Sequence, residues 1–325
     1  GWEVMGWCSY LLIGHWSRRP SARRAAYKAF LVTRVADIGF VLGAIALAAG
    51  PGSSDYGAVV DYWTHTGTCV EAGACGQPSS GQLALAMTLL VIGVLGKSAQ
   101  LPFQDWLPDA MEGPTPASAL IHAATMVAAG TFVLARLSPL LAASPVARGV
   151  LGVSVAVTMV LAALLAFGQP DLKRLLAWST VSQVAVMLSP LAAASGEGGG
   201  GAGIFHLYAH AFFKALLFLA IGWLGLVGGN TLAVSLRGVA RRNALVRVSF
   251  GFGLLALAGV PFVVGGMSKE HVIAVTYAAA DRGDTLALVL LVAQLVTVVL
   301  TAAYATRAWL VVTSPIGAPS ETGSQ

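Results

Sequence analysis

Ten ionisable side chains stand inside apolar stretches of this sequence, where water is scarce and charge is costly. They comprise three lysines, three acids and four histidines, namely Lys97, Lys214, Lys269, Glu3, Asp37, Glu270, His122, His206, His210 and His271. A charged side chain near the centre of a bilayer costs on the order of 3 kcal/mol, and such residues usually mark the path of a transported ion. Structural ion pairs are the alternative interpretation, but so many groups in one chain favour proton transfer.

Three of these groups, His206, His210 and Lys214, are regularly spaced and form a stripe. A spacing of four residues places all three on one face of a helix. Imidazole titrates near neutral pH, and a lysine buried away from water can release its proton there, so the stripe could pass a proton through intervening water. Two histidines at this spacing also suit zinc, but no third ligand lies nearby in sequence and Lys214 would repel the metal.

Two apolar stretches contain helix breakers next to a lysine. Pro102 follows Lys97 by five residues, and Pro261, Gly265 and Gly266 precede Lys269. A lone proline in a membrane helix is usually a harmless kink, because neighbouring groups satisfy the freed carbonyl. Two breaks, each beside a buried lysine, instead favour a pair of interrupted helices like those that form transporter binding sites.

The composition indicates the kind of protein, and the surrounding solvent, in which these groups are placed. Of the residues, 57% are hydrophobic and only 10% charged, with a net charge of +5, and the mean hydropathy is +0.78. A soluble domain carries roughly a quarter charged residues, so lipid has to be the solvent. The basic residues lie in loops between apolar runs and not on one face, which argues against nucleic acid as a partner. No nucleotide-binding or zinc spacing is present.

Apolar runs predict an all-α membrane protein of about nine transmembrane helices, two of them broken. Each run approaches the roughly 20 residues that cross a bilayer. The runs are 1–16, 27–48, 82–104, 117–137, 149–167, 175–193, 204–226, 248–278 and 285–312. A polar tail covers 314–325.

The loops between these runs predict the orientation. One set of alternate loops holds eleven basic residues: Arg18, Arg19, Arg23, Arg24, Lys28, Lys173, Arg174, Arg237, Arg241, Arg242 and Arg247. The opposite set holds three, Arg136, Arg148 and Arg282. Because cytoplasmic loops carry the excess of Lys and Arg, the first set is predicted to be cytoplasmic. Cys69 and Cys75 lie in one loop of the opposite set, where a disulfide and two free thiols are both open.

Residues 97–130 read KSAQLPFQDWLPDAMEGPTPASALIHAATMVAAG, and this block resembles the large antiporter-like, proton-pumping subunit of respiratory complex I (NADH-quinone oxidoreductase subunit L or chain 5). Further similarity lies in GWEVMGWCSYLLIGHW at the start, DLKRLLAWSTVSQ at 171–183, HAFFKALLFL at 210–219 and SKE at 268–270. The resemblance therefore extends over essentially the whole chain. The start within an apolar stretch indicates a fragment of a longer protein.

The resemblance implies two inverted five-helix repeats. Residues 1–137 would be the latter part of the first repeat, and 138–313 the second. It also implies a proton path through Glu3, Asp37, Lys97, His122, Lys173, His206, His210, Lys214, Lys269 and Glu270, in which Glu3 pairs with Lys97 and Lys269 is the outlet. No redox centre is expected in this chain; NADH, flavin, iron–sulfur clusters and quinone would belong elsewhere in a complex with other membrane subunits, in a bacterial inner membrane.

Two other functions compete with this interpretation. The large subunit of a multisubunit sodium/proton antiporter of the Mrp type shares the architecture without quinone chemistry. The block Met111–Pro116 favours complex I, because the antiporter type more often has Ala-Ala before Pro-Thr-Pro. A membrane scaffold without transport is the third reading, and it leaves the histidine–lysine stripe unexplained.

Overall fold

The computed structural model describes residues 1–64, 79–123, 125–196 and 198–315, and these ranges fold almost entirely into helices. In chain order the helices are α1 Trp2–Ile13, α2 Pro20–Ala49, α3 Tyr56–Thr64, α4 Ser80–Lys97, α5 Trp106–Asp109, α6 Thr115–Ala123, α7 Ala129–Arg136, α8 Ser138–Ala142, α9 Pro145–Gly168, α10 Leu172–Ala193, α11 Gly199–Gly228, α12 Ala244–Ala258, α13 Val264–Asp281 and α14 Thr285–Thr313. Within them the only β-type pairing is an isolated bridge between Asp171 and Leu232. The all-α prediction is confirmed.

Six of the described helices, α2, α4, α9, α10, α11 and α14, are long and apolar enough to cross a membrane. The predicted count of nine is not confirmed. The runs predicted at 117–137 and 248–278 are each divided between two shorter helices, and α1 has only 12 residues. Cys69 and Cys75 lie outside the described residues, as does most of the predicted polar tail.

Both predicted breaks are present. Helix α4 ends at Lys97, and the chain turns through Ser98 to Asp105 before α5 begins. Helix α12 ends at Ala258, and Gly259 adopts a φ of +85° that favours glycine. The following helix then returns so close to α12 that a Cβ on Gly265 would lie 1.9 Å from the Ala256 carbonyl oxygen. A further interruption, between α6 and α7, was not predicted.

Helix α10 forms the centre of the bundle and is buried along nearly its whole length. It packs against α9, α11, α13 and α14, while α2 and α4 pack against each other beside it. The outer helices turn apolar side chains outward; Phe212 on α11 and Val299 on α14 are 74% and 70% exposed. Such faces suit contact with lipid tails, whereas the polar side chains of α10 face other helices.

An ion pair ties the ends of three helices together on the side opposite the basic loops. Arg148 donates to Asp284 (2.7 Å) and to the carbonyl oxygens of Ala192 and Ala193 at the end of α10. Asp284 also caps α14 by accepting from Ala287 N. Burial raises the pKa of Asp284, but the Arg148 guanidinium and the backbone N–H groups of the first turn of α14 lower it more. The carboxylate therefore stays charged near neutral pH.

The orientation predicted from the loop charges can be tested at the two ends of α2. Its 30 residues extend about 45 Å at 1.5 Å per residue, so its flanking loops lie on opposite sides of a bilayer. In a variant whose three cysteines are replaced by serine, Ser17→Cys should react with a membrane-impermeant maleimide only from the cytoplasmic side. Ser54→Cys should react only from the other side.

Both positions are exposed, so failure to react from one side reports the barrier and not burial. Detergent-permeabilised membranes, in which both cysteines should react, provide the control. Reaction of Ser17→Cys and Ser54→Cys from the same side would contradict the orientation and the spanning of α2.

Candidate functional site

The structure buries eight of the ten residues that the resemblance assigns to a proton path. These are Asp37, Lys97, His122, Lys173, His206, His210, Lys214 and Lys269, each at most 8% exposed. Glu3 is partly exposed, and Glu270 faces outward from α13. Glu270 therefore does not share the buried surroundings of the other eight, since the helix turns Lys269 inward and the next residue outward. Its place in a proton path stays a prediction.

Lys97, at the end of α4, is paired with Asp37 of α2. Its Nζ lies 2.8 Å from Asp37 Oδ2, and both side chains are shielded from solvent. The other carboxylate oxygen accepts from Trp2 Nε1 at 2.6 Å. A Cβ on Gly6 would lie 2.7 Å from Lys97 Nζ, so glycine at that position admits the ammonium group. The pair is a buried ion pair in which each carboxylate oxygen accepts a hydrogen bond, and such additional bonds help to offset the cost of removing the two charges from water.

The predicted pairing of Glu3 with Lys97 is wrong in this structure. Glu3 forms an ion pair with Arg34, and both side chains remain about 40% exposed. Arg34 and Asp37 lie three residues apart on α2, so the same helix presents a base to Glu3 and an acid to Lys97. The acidic group that neutralises the buried lysine is Asp37.

Lys214 has no carboxylate partner among the described residues. Its Nζ, fully buried on α11, donates to Ser179 Oγ of α10 at 2.7 Å. The Ser179 hydroxyl lies 2.9 Å from the hydroxyl of Tyr304 on α14, which is itself fully buried. The ammonium position is thus solvated by hydroxyl groups, which favour a charged lysine much less than a carboxylate does.

The histidine stripe joins two other parts of the site. His206 Nδ1 lies 2.9 Å from Ser268 Oγ, on the residue that precedes Lys269. His210 Nδ1 lies 3.1 Å from the carbonyl oxygen of Ala123, on the residue that follows His122. The two rings are 6.5 Å apart between centroids. The stripe on α11 therefore extends from the end of α6 to the start of α13.

His122 lies where the α6 helix ends. It is fully buried, and neither ring nitrogen has a hydrogen-bond partner among the described residues. Its ring packs 5.0 Å from that of Phe218. A buried imidazole without partners is costly, so its presence in this bundle calls for an explanation beyond packing. Within the described ranges no group of three metal-ligating side chains forms around any histidine.

Lys269 lies in the first turns of α13, just after the second break. Its Nζ donates to the carbonyl oxygen of Leu257, one of the last residues of α12. Carbonyl groups near the end of a helix lack intrahelical partners and are free to accept from a cation. A Cβ on Gly259 would lie 2.9 Å from Lys269 Cδ, so the break both frees the acceptor and makes room for the side chain.

Lys173 differs from the other lysines because it borders an open cavity. Its Nζ donates to the carbonyl oxygens of Met111 (2.8 Å) and Gly113 (2.7 Å). The cavity has a volume of about 760 Å³ and also contains Arg19 and Arg174. Because these bases belong to the predicted cytoplasmic loops, the cavity opens toward that side of the bundle.

The sequence analysis did not identify a row of buried polar side chains on α14, which faces the helices that carry the lysines. Helix α14 carries Gln294, Thr297, Thr301 and Tyr304, all at most 1% exposed. Spacings of three, four and three residues place them on one face, toward α10 and α13. That periodicity was present in the sequence, but it was hidden by the strongly apolar character of the rest of the helix.

The buried groups belong to several helices of one bundle. The Asp37–Lys97 pair joins α2 and α4, while the stripe on α11 connects the end of α6, where His122 lies, to the start of α13, where Lys269 lies. Amines, imidazoles and hydroxyls can each bind and release a proton, and among the described residues Asp37 is the only buried carboxylate. Groups of these types are chemically suited to passing a proton between close neighbours.

Comparison with known proteins gives a family match over most of the chain and two structures of the same fold. Residues 1–301 match the family described as NADH:quinone oxidoreductase/Mrp antiporter, TM. The chain is 44% identical over 281 residues to NAD(P)H-quinone oxidoreductase subunit 5 of Paulinella chromatophora, covering 84% of this chain and 41% of that protein. It is 41% identical over 288 residues to chain 5 of the Synechocystis enzyme, with shares of 86% and 41%. The chain thus spans about two fifths of the length of these relatives.

Two solved structures superimpose on the chain. The Mrp complex from Dietzia sp. DQ12-45-1b matches with a TM-score of 0.83 and 29% identity, over 95% of this chain and 32% of that one. The membrane-bound sulfane sulfur reductase, an archaeal respiratory membrane complex, matches with a TM-score of 0.80 over 96% of this chain and 60% of that one. At 24% identity the second likeness establishes the fold alone.

The buried ion pair predicts a specific pattern of stability. Asp37→Asn leaves Lys97 charged without an anion and should destabilise the protein by about 3–5 kcal/mol, the typical cost of breaking a buried pair. Adding Lys97→Met removes the lone charge and should recover most of that loss. The measurement is the midpoint of thermal unfolding, together with the amount assembled in membranes.

Glu3→Gln is the matched control, because it removes the acid of a neighbouring but partly exposed pair. Its effect should stay within about 1 kcal/mol. If Asp37→Asn is no more harmful than Glu3→Gln, or if the double variant is no more stable than Asp37→Asn, then Asp37 is not what compensates Lys97.

Proposed function

The chain belongs to the NADH:quinone oxidoreductase/Mrp antiporter transmembrane family, and on that basis we propose that it carries a proton path of the chain-5 type, within a complex that oxidises NAD(P)H and reduces quinone. The observation that carries the proposal is the set of buried, titratable side chains that includes Lys97, His122, Lys214 and Lys269, with the histidine stripe on α11 joining the end of α6 to the start of α13. Identities above 40% to two subunits of NAD(P)H-quinone oxidoreductases support the complex-I type.

Loading of the path begins at the Asp37–Lys97 pair. While the two side chains touch, the carboxylate favours the charged lysine, because an opposite charge nearby stabilises the ammonium. If the pair opens, Lys97 is left charged in a low dielectric and can lower its free energy by giving its proton away. Neither ring nitrogen of His122 has a hydrogen-bond partner among the described residues, so the unprotonated one can receive that proton through water.

Lys214 is the transfer point at the centre of the path. It is held by neutral hydroxyls and not by an acid, so neither its charged nor its uncharged form is strongly favoured by a partner. His210, one turn away, contacts the residue after His122 and so brings the two groups into one network. A proton that reaches Lys214 repels any charge on its neighbours, which drives the next transfer toward Lys269.

Lys269 is the outlet. Its only polar contact among the described residues is a backbone carbonyl, which stabilises an ammonium without the full charge of a carboxylate. Release of the proton leaves a neutral amine that remains acceptable in the bundle interior. The cavity beside Lys173 gives water a way in from the cytoplasmic side, so refilling of the path does not depend on lipid-exposed groups.

The proposal extends to the assembly. Residues 1–137 and 138–313 would be parts of two inverted repeats, an arrangement supported by a helix break beside Lys97 and another just before Lys269. The redox cofactors and the quinone would belong to other subunits, and the partners would be further membrane subunits in a lipid bilayer. We place the protein in a bacterial plasma membrane; its relatives include cyanobacterial and chloroplast proteins.

A sodium/proton antiporter subunit is the second candidate, favoured by the match to an Mrp complex. It uses the same buried groups but exchanges protons for sodium and requires no quinone reduction. Proton transport that depends on external sodium, and persists without NADH, would select this alternative.

The central role of Lys214 is tested by replacing it with a cation that does not lose its proton. Lys214→Arg keeps the charge and the ability to donate to Ser179, so the complex should assemble. Guanidinium does not deprotonate in proteins, and proton uptake per NADH oxidised should therefore fall by an order of magnitude or more. The measurement uses sealed vesicles that contain the whole complex, normalised to the amount assembled.

Arg34→Lys provides the matched control, since it exchanges the same two residue types at a partly exposed pair outside the path. It should leave proton uptake unchanged. Full pumping by Lys214→Arg would show that Lys214 is a structural cation and not a carrier.

A further inference from the structure

A row of hydroxyl groups begins at Lys214 and extends away from the histidines. Lys214 donates to Ser179 Oγ at 2.7 Å, and Ser179 Oγ lies 2.9 Å from the Tyr304 hydroxyl. Tyr304 then donates to Thr301 Oγ1, one turn earlier on α14, at 3.4 Å. Because Lys214 already donates to Ser179, the serine hydroxyl is free to donate to Tyr304. All three hydrogen bonds of the row therefore point away from Lys214.

The row ends at a small internal cavity that contains Lys269. Thr301 lines this cavity together with Gln183, Gln294 and Thr297. It has room for about one water molecule. Three of its oxygens, Gln183 Oε1, Gln294 Oε1 and Thr297 Oγ1, are buried and have no hydrogen-bond partner among the described residues. Unpartnered buried acceptors are uncommon and indicate a small polar guest.

The charge of the lining decides which guest fits. Lys269 is the only charged side chain among the described residues that line the cavity, and an ammonium group repels a second cation in a low dielectric. Sodium is therefore disfavoured. A water molecule suits the site, because it can accept from Lys269 while it donates to two of the free oxygens.

The orientation of Gln294 supports this assignment. Its Nε2 donates to Ser189 (2.7 Å) and to Thr276 (2.9 Å), so both amide hydrogens are engaged on α10 and α13. These two bonds fix the orientation of the amide, and its oxygen remains available to accept a hydrogen bond inside the cavity. Gln294 is a positioning residue for the guest, since an amide does not readily carry a proton itself.

We propose that Ser179, Tyr304 and Thr301 form a hydroxyl relay that passes a proton from Lys214, through one water molecule in the cavity, to Lys269. The inference deepens the proposed function and rests on it. It assigns the transfer between the two lysines to α10 and α14, separate from the histidine stripe on α11.

The transfer conserves every proton. An N–H bond of Lys214 breaks as an O–H bond forms on Ser179, and each hydroxyl in turn releases its own proton to the next oxygen. Thr301 releases to the water, and the water releases to the neutral amine of Lys269. The hydroxyl groups are left pointing backward and must rotate before the next transfer.

The junction at Thr301 acts as the control point of the relay. At rest, Thr301 donates to the carbonyl oxygen of Thr297 at 2.7 Å and not into the cavity. The distance of 3.4 Å from Tyr304 also exceeds the usual 2.5–3.0 Å between hydroxyl oxygens. Conduction therefore requires α14 to tighten this contact and the Thr301 hydroxyl to turn, which stops protons from flowing while the site is at rest.

The test is removal of one hydroxyl without a change of shape. Tyr304→Phe should assemble, since the ring and its packing are kept, and should slow proton uptake about tenfold, the effect of one lost contact worth about 1.4 kcal/mol in the rate-limiting transfer. The solvent deuterium isotope effect on uptake should fall as well, because fewer protons move together. A structural hydroxyl would not change that isotope effect.

Thr180→Val is the matched control. Thr180 is equally buried on α10, but its hydroxyl bonds only to the Leu176 carbonyl of its own helix and it does not line the cavity. Uptake should be unchanged in this variant. If Tyr304→Phe fails to assemble, Thr301→Val replaces it, with the same expected loss.

The outcomes separate this inference from the function on which it rests. One outcome overturns the relay alone. Lys214→Met loses pumping, whereas Tyr304→Phe keeps normal proton uptake and an unchanged isotope effect. The histidine stripe is then the route between the two lysines. Normal pumping in Lys214→Met overturns the proposed function. Loss in both lysine and tyrosine variants, with a reduced isotope effect, supports the relay.

Discussion

The cost of burying an ammonium group in a helical bundle surrounded by lipid governs the rest of this structure. Three of the buried lysines, Lys97, Lys214 and Lys269, are at most 4% exposed, and each is compensated differently. Lys97 has a carboxylate, Lys214 has a hydroxyl and Lys269 has a backbone carbonyl. These partners decrease in charge from a full anion to neutral dipoles, so the ammonium form is best stabilised at the first lysine and less at the next two.

The helix breaks follow from the same constraint. A continuous helix offers no free carbonyl to a cation, whereas the end of α12 does, and the glycines around the break allow α13 to return close enough for Lys269 to reach it. At the other end of the bundle, Gly6 leaves the space that the Lys97 ammonium fills. The irregular backbone that would be unstable in lipid is thus located where it is buried in protein and serves a charged group.

Much of this could be predicted from the sequence, because buried charge among apolar residues is a local signal. The lysines, the histidine stripe and both breaks are visible as exceptions to hydrophobic runs. The choice of Asp37 over Glu3 as the partner of Lys97 was not predictable, since it depends on how α2 is rotated against α4. Ser179 and Tyr304 were missed because single hydroxyls are common in membrane helices. The interruption after α6 was not predictable, because the sequence has no proline or glycine at the break.

The central claim is that the buried lysines act in series on one path. It is tested most directly by measuring protons taken up per NADH oxidised, in vesicles containing the whole complex, for Lys97→Met, Lys269→Met and the double variant. Residues that act as one unit are not additive, so a single path predicts that each substitution lowers the ratio to the same value and that the double variant lowers it no further. A double variant that loses the sum of the two single losses would contradict a single serial path.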